Sequence, residues 1–178
     1  MNNYIIIHGS YGTVDGNWFP WLKQELEKNN NTVELPQFPI GLNIQNYDSW
    51  SKVLDKIDIN ENTTIIAHSI GPIFICKYLI NKKIKVKKLI FVCGFNNYSV
   101  NDEYDNVNIP MFIDNYYNIK NYCNDIVCFY SDNDPYVSFK AEKEFADNVA
   151  NKQIIIKNGG HINSESGYTK FIEIMEEI

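Results

Sequence analysis

The sequence predicts an α/β fold: a three-layer sandwich with about six parallel strands, helices on both faces and no large cap domain. Three observations predict it. Apolar, β-rich runs alternate with stretches of helical spacing along the whole chain. Most of those runs are continuous rather than alternating, as in parallel strands buried on both faces. The 178 residues, 44% of them apolar, suit one domain, taken as 1–178, with no linker, repeat or low-complexity tract to divide it.

The elements follow in order. Tyr4–Ile7 is the first strand, and Trp18, Trp21, Leu22 and Leu26 mark a helix that stops at Asn29-Asn30-Asn31. Thr32–Leu35 is a short second strand. Tyr47, Trp50, Val53, Leu54 and Ile57 fall on one helical face. Thr63–Ile66 is a β-branched run that enters Ala67-His68-Ser69-Ile70-Gly71, after which Ile73 to Ile80 have helical spacing. Lys88–Cys93, Ile126–Tyr130 and Gln153–Ile156 complete the strands, and Phe139–Ala146 and Tyr168–Ile178 are read as helices. The stretch from Gly94 to Asn124 resists the pattern and is read as a loop with a short helix near Met111–Tyr122.

Composition narrows the function. Net charge is −6, and all 16 basic residues are lysine. Arginine is the residue of choice for bidentate phosphate and guanine recognition, so its absence argues against a nucleic-acid surface. The basic cluster from Lys82 to Lys88 lies between a helix and a strand and reads as a solvated connection. No apolar run approaches the ~20 residues of a membrane span, and Met1–His8 lacks the basic start of a signal peptide. A cytoplasmic protein is therefore expected. Cys76, Cys93, Cys123 and Cys128 form no Cys-x-x-Cys pair and have no histidine at zinc spacing, so reduced thiols and no metal or cofactor are expected.

Ligands of open parallel sheets bind beyond the carboxyl ends of the strands. His8-Gly9-Ser10-Tyr11-Gly12 follows the first strand, Ser69 the third, Ser131-Asp132-Asn133-Asp134-Pro135 the fifth, and Asn158-Gly159-Gly160-His161 the last. Small residues two positions either side of Ser69 suit a nucleophile elbow, where strand and helix backbones pass close together. Alone, the same pattern also fits a helix with a serine N-cap. The order Ser…Asp…His across separate strand ends favours the elbow, because α/β-hydrolases use that order.

The roles follow from chemistry. Ser69 needs a base, His161 has a suitable pKa range, and an acid fixes the imidazole tautomer. Asp132 and Asp134 both qualify as the acid; Asp134 is favoured for the Pro135 and Val137 that follow it. The oxyanion would meet the backbone N–H of Ile70 and an amide of the Gly9–Tyr11 turn, with Ser10 the natural choice. His68 and His8 read as turn supports. Tyr11, Trp18, Tyr98 and Tyr136 are expected to line an open, aromatic substrate site. With no arginine to clamp an anion, a small neutral acyl compound is expected as substrate. Two other readings exist. A dinucleotide-binding fold would need G-x-G-x-x-G, which Gly9–Gly16 does not supply, and an acid beside the ribose, for which Glu34 is a poor candidate. A binding module without catalysis has no physical need for all three catalytic residue types.

Tyr4-Ile5-Ile6-Ile7-His8-Gly9, Asn17-Trp18-Phe19-Pro20-Trp21-Leu22, Ala67-His68-Ser69-Ile70-Gly71, Asp134-Pro135 and Gly159-Gly160-His161 together cover nearly the whole chain. On these blocks the sequence resembles the small serine hydrolases of the retinoblastoma-binding-protein-nine type and their YdeN-like bacterial relatives, within the α/β-hydrolase superfamily. The tryptophan block is the most specific, and alanine at the start of the elbow is common in that group. The resemblance places the triad on Ser69, Asp134 and His161 and implies carboxylester-type hydrolysis. It also leaves open a protein-binding role, since relatives include proteins discussed as binding partners.

Overall fold

A computed structural model describes residues 2–97 and 102–178. Six strands form one parallel sheet in the order β2-β1-β3-β4-β5-β6. They are β1 (Asn3–Ile7), β2 (Thr32–Glu34), β3 (Thr63–His68), β4 (Lys88–Val92), β5 (Ile126–Ser131) and β6 (Lys152–Ile156). The α-helices are α1 (Phe19–Glu27), α2 (Tyr47–Leu54), α3 (Gly71–Lys82), α4 (Asp102–Asn108) and α5 (Phe139–Val149).

Local chemistry starts and stops these helices. Asn46 caps α2 by accepting the Ser49 N–H at 3.0 Å, and Asp48 and Lys52 suit the ends of its dipole. Ser138 caps α5 by accepting the Ala141 N–H at 3.2 Å. Pro20 and Pro72 lie in the first turns of α1 and α3, where a missing N–H costs nothing. Helix α3 ends at Lys83, whose φ of +57° is the left-handed C-cap.

Alternate residues of the strands feed two cores. Ile5, Ile7, Ile65, Ala67, Leu89 and Phe91 face one side, where they are covered by α2, α3 and α5. Tyr4, Ile6, Ile66, Ile90, Val92 and Phe129 face the other, covered by α1 and the C-terminal segment. The continuous apolar runs are thus the sum of two alternating patterns, one per face.

Two expected helices differ. The C-terminal segment is not an α-helix: Ile172–Glu177 forms a 3-10 run. Phe171, Ile174 and Glu177 are buried at every third position, which is the period of the tighter helix. Between β4 and β5 the expected helix near Met111–Tyr122 is replaced by 3-10 turns at Ile109–Met111 and Tyr116–Asn121. Helix α4 precedes them, and the sequence reading did not anticipate it.

Phe74, fully buried on α3, packs between Phe38, Trp50, Tyr47 and Tyr78. Phe74→Ala should lower the free energy of unfolding by about 3–5 kcal/mol, read from urea denaturation.

Candidate active site

The sheet reverses its winding direction between β1 and β3, and their carboxyl ends border the crevice where open sheets bind ligands. Ile7 pairs with Ala67, so the residues that follow, His8-Gly9 and His68-Ser69, emerge side by side. The approach is tight. A Cβ on Gly9 would lie 2.6 Å from Ser69 Cβ, and one on Gly71 would lie 3.3 Å from Ala67 Cβ and 3.2 Å from Ile7 Cγ2. Ser69 itself has φ +62°, a left-handed backbone, and its N–H donates to the Val92 carbonyl at 2.8 Å. The N-cap of α3 is Ile70, so Ser69 is not an ordinary capping serine.

From the elbow a hydrogen-bonded line runs through three side chains. His161 Nε2 lies 3.0 Å from Ser69 Oγ, and His161 Nδ1 lies 2.5 Å from Asp134 Oδ2. The other oxygen of Asp134 accepts the N–H groups of Tyr136 at 2.7 Å and Val137 at 3.0 Å. Burial alone would raise the Asp134 pKa; the His161 contact and these two amides outweigh it and hold the carboxyl below its usual range. Asp132, the alternative acid, instead accepts the Asn158 N–H at 2.7 Å and anchors the histidine loop. Gly160 in that loop has φ +56°, and a Cβ there would collide with Ser166 Oγ.

The other two histidines are built in as supports. His68 Nε2 donates to the His161 carbonyl at 2.9 Å; burial and the neighbouring His161 push its pKa down to about 3, so it is neutral. His8 Nδ1 donates to the Gly9 carbonyl at 2.8 Å while its Nε2 accepts the Phe38 N–H at 3.0 Å. Burial lowers its pKa as well.

Trp18 is corrected from a cavity wall to a support. It is fully buried, packs edge-on to His68, and donates its indole N–H to the Ile162 carbonyl at 2.9 Å. Its bulk and its one donor suit it to hold Ile162, whose φ of +44° is unusual for a β-branched residue. Tyr11 and Tyr136 do line the cavity above Ser69. Tyr98 lies outside the described residues.

The cavity also takes Phe95, Tyr104, Asn108 and Glu165, which sequence reasoning missed. Tyr104 sits between Tyr11 and Tyr136, with ring centroids 5.7 Å from each. Tyr136 Oη donates to Glu165 at 2.5 Å, and this bond first, then burial, raises the phenol pKa to about 12. The turn after β1 is held by Gln45, also missed. Its Oε1 accepts the Tyr11 N–H at 3.0 Å, its Nε2 donates to Ser10 Oγ at 3.0 Å, and Ser10 Oγ donates to Asn108. The Tyr11 N–H of this turn is thus engaged. Gln45 lies in an Asn-rich loop and α4 has no clear apolar period, so neither gave a sequence signal.

A parallel sheet with a left-handed serine between β3 and α3, and the acid and histidine on later strand ends, defines an α/β-hydrolase fold. The chain belongs to the serine hydrolase family, whose model matches residues 4–178. YdeN of Bacillus subtilis, described as a hydrolase, is 24% identical over 172 residues, spanning 92% of this chain and 87% of that protein. The YdeN crystal structure superposes with a TM-score of 0.85 over 99% of this chain and 96% of that one, at 22% identity. A YdeN-like hydrolase from Pectobacterium atrosepticum gives a TM-score of 0.72 at 14% identity, over 98% of this chain and 86% of that one. Est1E of Butyrivibrio proteoclasticus with ferulic acid bound gives 0.69 at 14% identity, over 99% and 89%.

The supporting histidines carry a pH signature. An unfolded histidine takes up a proton near pH 6.5, whereas folded His68 does so only near about 3. Between these values the unfolded chain binds more protons, so stability falls on acidification, by up to about 1.4 kcal/mol per pH unit from His68. Urea unfolding from pH 7 to pH 4 should show this slope, and His68→Gln, which keeps a donor, should flatten it.

Proposed function

We propose that this protein is a carboxylester-type hydrolase that cleaves a small, uncharged acyl substrate through Ser69, His161 and Asp134 by way of an acyl-enzyme. The observation that carries this reading is the unbroken line from Ser69 Oγ to His161 Nε2 at 3.0 Å and from His161 Nδ1 to Asp134 at 2.5 Å.

With its Nδ1–H donated to Asp134, His161 presents Nε2 as an acceptor to the serine hydroxyl. As Ser69 Oγ attacks the substrate carbonyl, His161 takes the hydroxyl proton, and Asp134 stabilises the imidazolium. The carbonyl oxygen gains charge and meets the N–H of Ile70, at the positive end of a 12-residue helix, and the N–H of Ser10. Each such donor is worth about 3–4 kcal/mol in the transition state. Collapse passes the proton from His161 to the leaving alcohol, and a water activated by the same histidine releases the acid.

The cavity supports this substrate class. It holds about 220 Å³, below the roughly 300–1,000 Å³ of drug-sized sites. Among the described residues that line it there is no lysine, and Glu165 is the only acid. A small neutral acyl group bordered by tyrosines fits this; an anionic one meets no counter-charge. Est1E, with ferulic acid bound, offers a parallel: a carboxylic acid is what ester hydrolysis releases.

A fluorophosphonate probe should label Ser69 covalently, and Ser69→Ala should lose the label along with about 10⁴–10⁶-fold of turnover. Folded wild-type protein that resists the probe would overturn the reading. Across an ester series from acetyl to long chains, short neutral esters should be preferred. Labelling without turnover on any ester would instead favour a binding role.

A further inference from the structure

Close to Asp134 lies a second carboxyl group that the proposed chemistry does not use. Glu142, on α5, is 1% exposed. One ligand atom each from Cys93, Asp134, Glu142 and His161 lie within 4.8 Å of one another. Glu142 Oε2 accepts the Ser131 N–H across a long 3.4 Å, and among the described residues its buried Oε1 has no hydrogen-bond partner.

Two carboxylates this close in a buried site do not both ionise. Asp134 is far better equipped for the charge, with His161 Nδ1 and two amide N–H groups. The other titratable groups facing Glu142 do not offset a second charge. Cys93, from the end of β4, is fully buried and raised well above the usual thiol range, and no lysine forms an ion pair with Glu142 among the described residues. His161 Nδ1 occupies Asp134 Oδ2 at 2.5 Å, and a proton on Glu142 leaves one negative charge for the two carboxyl groups to share. Burial first, then the charge of Asp134, pushes the Glu142 carboxyl up to about 10.

We propose that Glu142 is a positioning residue: a neutral carboxylic acid that donates its O–H to the Asp134 carboxylate and extends the line Ser69–His161–Asp134 by a fourth member. The donated bond gives the otherwise orphaned buried carboxyl a partner. It also spreads the charge of Asp134, weakening its hold on an imidazolium formed at His161. The effect on catalysis rests on the proposed hydrolase function; the location of the proton does not.

Two measurements test this. In protein labelled with ¹³C at the glutamate carboxyl, one carbon should keep its acid-form shift up to about pH 8 and be missing from Glu142→Gln. Titration of that carbon in the ordinary glutamate range would overturn the proposal. Second, the rate of Ser69 labelling by a fluorophosphonate should rise with pH along an acid limb set by His161. Glu142→Gln keeps a neutral donor, so its limb should stay within about 0.3 pH unit of wild type. If Glu142 were ionised, removing its charge would lower the limb by about one unit or more. Glu142→Leu removes the donor, and its limb should rise by roughly half a unit; an unmoved limb in folded Glu142→Leu would overturn the donor role. If the wild type does not react at all, the hydrolase reading fails, while the NMR arm still decides where the proton sits.

Discussion

The contact between Gly9 and Ser69 is the constraint on which the rest of the site depends. Parallel pairing of β1 with β3 brings the two strand ends together in fixed register, and only the missing side chain at Gly9 lets Ser69 stand there. The serine backbone there is left-handed, a conformation that costs on the order of 1–3 kcal/mol. It persists because its neighbours over-determine it. The Ser69 N–H is bound to Val92, α3 begins two residues later, and the helix and strand are locked into the core through Ile7, Ala67 and Ile73. Nearby, Tyr11, Cys93 and Ile162 also have positive φ. Much of the positive φ elsewhere falls to asparagines, such as Asn30 and Asn43, or to the helix C-cap at Lys83. Strain in residue types that resist it is thus gathered around one crevice.

Three histidines in this crevice show how surroundings divide roles among identical side chains. His8 gives one ring nitrogen to Gly9 and the other to Phe38, so it joins the first turn to the chain after β2. His68 donates to the backbone of His161 and packs against its ring at 4.8 Å. Both are tied to backbone groups and held neutral by burial. His161 alone bonds two side chains of opposite character, a carboxylate and a hydroxyl. The proposed base is therefore distinguished by what it faces, not by being the only histidine present.

The parts legible in the sequence are those that a local rule dictates. The central strands were visible because runs such as Ile65–Ile66 and Ile126–Phe129 are too apolar to be anything but buried, and the edge strands β2 and β6 because β-rich residues stand at the right place in the alternation. Ser69, Asp134 and His161 could be picked out as candidates because each lies in the turn or loop that follows a strand, in a chain order that suggests a role for each. What failed was decided by tertiary context. Trp18 reads as a site aromatic, yet its indole sits beneath the histidine loop, where no spacing rule could place it. Tyr168–Ile178 has an apolar pattern that serves a helix of period 3.0 as well as one of 3.6 over so short a length. Gln45, Asn108 and Glu142 are polar residues whose partners lie at least 11 positions away in the chain, so nothing near them in sequence announces their use.

The segment between β4 and β5 has a part in the site beyond that of a wall. Helix α4 sends Tyr104 into the ring of aromatic residues above Ser69 and Asn108 to the hydroxyl of Ser10. Gln45 reaches the same hydroxyl from the other side and also fixes the Tyr11 amide. A serine hydroxyl has one proton and two lone pairs, and here it donates to Asn108 while accepting from Gln45. The amide of the same residue is the proposed second oxyanion donor, whose worth depends on its being aimed before charge develops. One helix therefore shapes the space for the acyl group and steadies the turn that would stabilise its oxyanion. On the proposed function, substrate fit and transition-state stabilisation would share a support, so a change in α4 would alter both together, even though α4 contributes no residue to the line Ser69–His161–Asp134.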